Sequence, residues 1–151
     1  MKDKFIQAFM DTARIFARLS HCKRTQVGAI IVKDNRIISI GYNGMPIGWD
    51  NCCEQDTALV DEIITKPEVL HAESNAIAKL AASNESGLGS VMFCTHSPCL
   101  ECAKLIYQSG ISGVLYGEDY RCHRGILFLL KSGIMAEKVD NREVSQSMTR
   151  P

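Results

Sequence analysis

Apolar residues along the chain fall into runs whose period changes from helical to alternating and back. Phe5, Ile6, Phe9, Met10, Ala13, Phe16, Ala17 and Leu19 recur near helical spacing with Lys and Arg between them. That pattern predicts a core-packed amphipathic helix over 2–20. Two β-branched runs, VGAIIVK and RIISIGY, flank Asp34-Asn35 and predict a hairpin near 27–42. Apolar residues on both faces of these runs place the hairpin inside a sheet. From 43 to 69 the pattern breaks into Gly, Pro, Asn and an adjacent Cys pair, with one short helical patch near 57–64. Loops this long in a compact domain are usually functional or disordered, and Trp49 with two cysteines argues against disorder.

Beyond residue 69 the periodicity returns. Leu70, Ala76, Ile77, Leu80 and Ala81 predict a helix over 70–83. A strand near 90–95, a helix from Cys99 to about Gln108 and a Gly110 cap follow. Then come a strand near 113–117, a helix near 122–132 and a weak strand around 134–139. The order α-β-β-α-β-α-β-α-β predicts a three-layer α/β/α domain with a five-stranded mixed sheet, an antiparallel hairpin first and βαβ crossovers after it. One domain is expected over 1–140. A polar tail, 141–151, is expected to fray or make partner contacts.

Composition narrows what such a domain does. The chain has 151 residues, 46% of them hydrophobic, and 17 basic side chains balance 17 acidic ones. Zero formal charge disfavours a long nucleic-acid footprint but leaves room for a local basic pocket. The start, MKDKFIQAFMDTARIF, lacks the apolar core of a signal peptide, and no apolar stretch approaches the length of a membrane span. A cytoplasmic, reducing location is expected, so the seven cysteines read as thiols or metal ligands before disulfides.

One constellation carries chemistry: His71-Ala-Glu73, then Pro98-Cys99-Leu-Glu-Cys102. Cysteines at i and i+3 in a helix's first turn project to one side and can share a metal ion. Pro98 suits the helix start, and the helix N-terminus favours thiolates. Two thiolates and one imidazole leave a fourth tetrahedral position open, the mark of a catalytic zinc. Glu73, at the start of its helix, is placed to shuttle protons. Cys94, in an apolar strand, reads as core, and Cys122 beside His123 reads as a buried helix thiol. His96 is either structural or substrate-adjacent. Trp49 reads as a packing or oligomer contact.

These motifs resemble the cytidine deaminase superfamily, and within it the deoxycytidylate deaminases. HAE at 71–73 with PCLEC at 98–102 carries the superfamily. GYNGMP at 41–46, the cysteine-bearing insert after it and GEDYRCHRG at 117–125 carry the narrower likeness, which spans roughly residues 5–135. The resemblance implies one catalytic zinc on His71, Cys99 and Cys102, with Glu73 the proton shuttle in hydrolysis of dCMP to dUMP and ammonia, the precursor for dTMP synthesis. It implies substrate contacts from Asn43, Tyr120, Arg121, Arg24 and Arg124. It also implies a homo-hexamer, activated by dCTP and inhibited by dTTP at Gly41, Tyr42, Asn43 and Gly44, with Mg2+ accompanying a triphosphate. A Gly-containing turn there could present a nest of N–H groups to phosphates.

Relatives with a second, structural zinc hold it partly with histidines in the insert. Residue 69 here is Val and residues 54–70 contain no His, so a second zinc is not expected. Neither nucleic acid nor membrane is an expected partner. The rival readings are a tRNA adenosine or free-nucleoside deaminase of the same superfamily and, from another class, a structural zinc module or a thiol-redox protein. The zinc module leaves Glu73 without a role, and the redox protein lacks its strand–helix context.

Overall fold

The computed structural model describes residues 1–56 and 63–139. Helix α1 (Asp3–Ala17) buries Phe9, Met10, Ala13 and Ala17 and ends earlier than the apolar pattern suggested, leaving Leu19 outside and exposed. Strands β1 (Gly28–Lys33) and β2 (Arg36–Tyr42) form the expected hairpin. Its two-residue turn puts Asp34 at φ 51° and Asn35 at φ 57°, left-handed values that Asp and Asn tolerate better than other non-glycine residues.

The insert holds a two-stranded ribbon, β3 (Glu54–Asp56) antiparallel to β4 (Ile63–Thr65). Most of the helical patch expected at 57–64 lies outside the described residues. Ile63 and Ile64 are strand, as β-branched pairs prefer. Then follow α2 (Ala72–Ala81), β5 (Val91–His96), α3 (Leu100–Gln108), β6 (Gly113–Glu118), α4 (Arg124–Lys131) and β7 (Met135–Lys138). Ser109 caps α3, and Gly110 at φ 76° turns the chain out of it. The tail expected over 141–151, with its boundary at 140, lies outside the described residues.

The main sheet has the order β2-β1-β5-β6-β7. β1 is antiparallel to both neighbours, while β5, β6 and β7 run parallel, so the five-stranded mixed sheet is as expected. Alternate residues face opposite layers. Ile30, Val32, Phe93 and Leu115 pack against α1, whereas Ala29, Ile31, Met92, Cys94, Val114 and Tyr116 pack under α2, α3 and α4.

The hairpin corrects one expectation. β1 is interior, but β2 is an edge strand in which only Ser39 and Gly41 are buried. Its apolar residues are explained by the two helical layers, since Ile37 and Ile40 pack on the α1 side and Ile38 on the other. Leu70 lies before α2, bridged to Gly44, and Ala81 is exposed. No described helix is long and apolar enough to cross a membrane.

Candidate active site

Two helix starts meet at one end of the sheet. His71 is the N-cap residue of α2 and Cys99 that of α3, where the Cys102 N–H points at the Cys99 sulfur at 3.5 Å. Each start is seated by a backbone approach that only glycine permits. A Cβ on Gly41 of β2 would lie 2.2 Å from the Ala72 carbonyl oxygen, so α2 rests directly on the strand. A Cβ on Gly125 of α4 would lie 2.0 Å from the Pro98 carbonyl oxygen, so α4 braces the loop into α3. Side chains tie α2 down as well. Ser39 Oγ donates to the Ala76 carbonyl at 2.7 Å, and Asn75 Nδ2 to the Tyr42 carbonyl at 2.8 Å.

The result brings the expected ligands together. His71 Nδ1 lies 3.5 Å from Cys99 Sγ and 3.4 Å from Cys102 Sγ, and all three donor atoms fall within 4.8 Å of one another. Tetrahedral zinc with ordinary Zn–S and Zn–N bonds sets sulfur and nitrogen about 3.6 Å apart, so this donor set fits the ion. Among the described residues no other His, Cys, Asp and Glu cluster has such spacing. The electrostatics favour a thiolate at Cys99, with the proton held on Cys102. A hydrogen bond from Cys102 holds the Cys99 thiol down to about 3, and sharing with Cys99 drives Cys102 up. The Cys99 contact also raises His71.

Glu73, one residue into α2, is 4% exposed. Burial pushes its carboxyl up to about 7. A group with that pKa can both accept and give up a proton near neutral pH.

A cavity of about 630 Å³ opens over His71, Glu73 and Cys99. Arg24, Asn43, Tyr120 and Arg121 line it, as expected of substrate contacts. Arg24 and Arg121 form no ion pair among the described residues, and the Arg121 guanidinium lies 5.4 Å from the Tyr120 ring centroid. Tyr120 is anchored by its N–H, which donates to Ser97 Oγ at 2.8 Å. Asn43 has a structural task too: its Oδ1 accepts from the Val27 N–H and its Nδ2 donates to the Thr25 carbonyl, both at 2.8 Å.

Other expected positions fall elsewhere. Arg124 is exposed at the start of α4 and does not line the cavity, because Gly125 takes the buried place against Pro98. Gly41 and Tyr42 belong to β2. The Asn43 N–H is donated to the Val27 carbonyl and the Gly44 N–H to the Leu70 carbonyl, each at 3.1 Å. The turn therefore presents no phosphate nest, and a ligand there would need side chains. Cys122 is exposed rather than a buried helix thiol, and Trp49, 58% exposed, packs into no described core.

The structure places His96 at the cavity and in side-chain contacts. It lines the cavity, with Nδ1 3.2 Å from Thr95 Oγ1 and Nε2 3.4 Å from Glu118. Cys53 of the insert and Cys22 of the loop after α1 form a buried, hydrogen-bonded thiol pair against Val69 and Met45, and burial pushes the Cys53 thiol up to about 12. Cys52 is exposed, its thiol donating to the Glu54 carbonyl at 3.4 Å. Sequence reasoning missed Thr25, Val27, Ile64, Thr65 and Ser97 on the wall. Ser97 adjoins the PCLEC motif and was findable; Val27 and Ile64 lay in runs read only for their secondary structure, and Thr25 and Thr65 sit in segments without periodicity.

Residues 3–118 match the family described as the cytidine and deoxycytidylate deaminase zinc-binding region. The chain belongs to this deaminase family. It is accordingly a zinc-dependent deaminase by family, with the expected cytidine deaminase-like fold. Its fold superposes on the dCMP deaminase of cyanophage S-TIM5, solved in complex with dCMP and dUMP, with a TM-score of 0.86. The two are 46% identical over 92% of this chain and 99% of that one. ComE operon protein 2 of Bacillus subtilis is 36% identical over 139 residues, 91% of this chain and 72% of its own. The deoxycytidylate deaminase of Schizosaccharomyces pombe is 34% identical over 131 residues, 82% of this chain, which spans only 40% of that relative's length.

Proposed function

We propose that this deaminase hydrolyses dCMP to dUMP and ammonia, and so supplies the precursor for dTMP synthesis. The observation that carries the reading is a single cavity lined by His71, Cys99, the buried Glu73 carboxyl and two arginines that form no ion pair among the described residues, with Cys102 within ligand distance of His71 and Cys99. His71, Cys99 and Cys102 would hold zinc, which would supply the Lewis acidity that makes water a nucleophile at neutral pH. Glu73 takes a proton from the attacking water and delivers it to cytosine N3, then carries the remaining proton of the new C4 hydroxyl to the amine, so that the C4–N bond breaks, ammonia leaves and the C4 carbonyl forms. Burial suits this carboxyl to both transfers, because it titrates close to the working pH. Arg24 and Arg121 offer the phosphate two cations that no carboxylate among the described residues neutralises. Asn43 keeps one N–H and a lone pair for the sugar after its two backbone contacts. The likeness to the cyanophage enzyme supports the same substrate.

The same reading carries hexamer assembly, with dCTP activating and dTTP inhibiting near Gly41, Tyr42, Asn43 and Gly44, and Mg2+ arriving with the triphosphate. With the N–H groups of Asn43 and Gly44 spent, side chains such as Lys79, whose Nζ lies 5.3 Å from the Tyr42 ring centroid, must hold an effector at this turn. The reading is tested by following absorbance with dCMP, deoxycytidine, dCTP and cytosine, each with and without dCTP or dTTP at low concentration. Turnover of dCMP in preference to the others is expected, and conversion of no pyrimidine would sink the substrate. Glu73→Ala is expected to retain zinc while losing at least about a hundredfold in rate, the scale of general acid–base catalysis. Retained turnover in that variant would sink the mechanism.

A further inference from the structure

Residues 20–27 form one wall of the cavity without belonging to any helix or strand. Cys22, Arg24, Thr25 and Val27 of this segment line the site. A loop without a backbone ladder takes its shape from side chains that satisfy its N–H and C=O groups. Asn43 does this at one end, through Val27 and Thr25. At the other end the partner is Glu54, some thirty residues away in β3. Its Oε1 accepts the backbone N–H of Lys23 at 2.7 Å and that of Arg24 at 3.3 Å.

The ribbon aligns a second contact. Register pairs Glu54 with Thr65, and Thr65 Oγ1 accepts from Arg24 Nη1 at 3.4 Å. Beneath them the Cys22, Cys53, Val69 and Met45 cluster glues loop to insert. The Glu54 carboxylate is thus spent on two main-chain donors and makes no ion pair with the Arg24 guanidinium.

We infer that Glu54 is a positioning residue for phosphate recognition: it fixes the main chain at Lys23 and Arg24 so that the Arg24 guanidinium is held over the cavity while remaining free to bind an anion. The inference rests on the dCMP reading, and it makes the β3–β4 insert a determinant of preference for the nucleotide over the nucleoside. Carboxylate acceptors on backbone N–H groups are among the stronger hydrogen bonds, so removing this one should loosen the wall without touching the ligands or Glu73.

The experiment compares the wild type with Glu54→Ala, Glu54→Gln and Thr65→Val. Glu54→Ala is expected to raise the KM for dCMP and the inhibition constant of dUMP about tenfold, as for one lost charge-assisted contact, with kcat within about twofold. Glu54→Gln keeps an acceptor oxygen and should restore both constants. Thr65→Val, which removes only the Arg24 contact, should raise KM about threefold and serves if Glu54→Ala does not fold. A fall in kcat at unchanged KM, no effect of any variant, or failure of Gln to restore binding would each overturn the inference.

A second arm needs no reaction. Inorganic phosphate should raise the melting temperature of the wild type and Glu54→Gln but not of Glu54→Ala. Equal stabilisation of all three, or of none, overturns the inference. A wild type that is stabilised by phosphate yet turns over no dCMP would instead overturn the proposed substrate.

Discussion

Glu73 shows how much of a residue's chemistry is set by where its helix begins. Its position two beyond His71 was legible as motif, but its burial and raised pKa come from the sheet and helices packed around it. Asn43 makes the reverse point. The sequence marks it as a substrate contact or a turn residue, and the structure gives it two 2.8 Å hydrogen bonds to residues sixteen and eighteen positions earlier. Asn43→Ala should cost about 2 kcal/mol, two ordinary hydrogen bonds, read as a lower urea midpoint, and should also lower kcat/KM. Asn43→Asp keeps the acceptor for Val27 but sets an oxygen against the Thr25 carbonyl, so it should not rescue either measurement. An alanine variant as stable and active as the wild type would show that the clamp is idle.

At the scale of elements, the long periodic segments were readable and the short ones were not. α1, the β1–β2 hairpin, β5, α3, β6 and α4 appear where their hydrophobic periods put them, because a repeated pattern names the face to be buried, and β7 appears where only a weak strand was expected. The β3–β4 ribbon has three residues in each strand, too few for a period to register. The edge position of β2 was also hidden, since its apolar residues serve two different helical layers and so look like an interior strand. Contact between elements yields a sharper prediction. Gly41→Ala puts a methyl 2.2 Å from a backbone oxygen of α2, which cannot move without carrying His71 and Glu73 with it. A loss of about 1–3 kcal/mol, typical of overpacking, should accompany reduced zinc affinity and lower kcat. Measuring zinc content alongside thermal melting separates this from plain destabilisation: a variant that melts lower yet binds zinc normally would show that α2 does not transmit the strain.

For the whole molecule, the metal site lies at one end of a core that is already complete. Clusters on both faces of the sheet involve all four helices and none of the three metal-facing side chains except the flank supplied by their neighbours. Stripping zinc with a strong chelator should therefore abolish turnover and lower the melting temperature through lost binding energy, while far-UV circular dichroism stays nearly unchanged. Unfolding on chelation, as in a zinc finger, would contradict this separation of core and site. By itself the sequence determined the α/β class, the order of the main elements and the choice of His71, Glu73, Cys99 and Cys102 as candidates, because periodicity and short ligand spacings are local properties of the chain. Only the tertiary structure decided that Arg24 reaches the cavity and Arg124 does not, that the turn at Asn43 and Gly44 has spent its N–H groups, and that Glu54 holds the main chain at Lys23 and Arg24. Those outcomes depend on hydrogen bonds and close approaches between segments tens of residues apart, and no period or spacing along the chain encodes them.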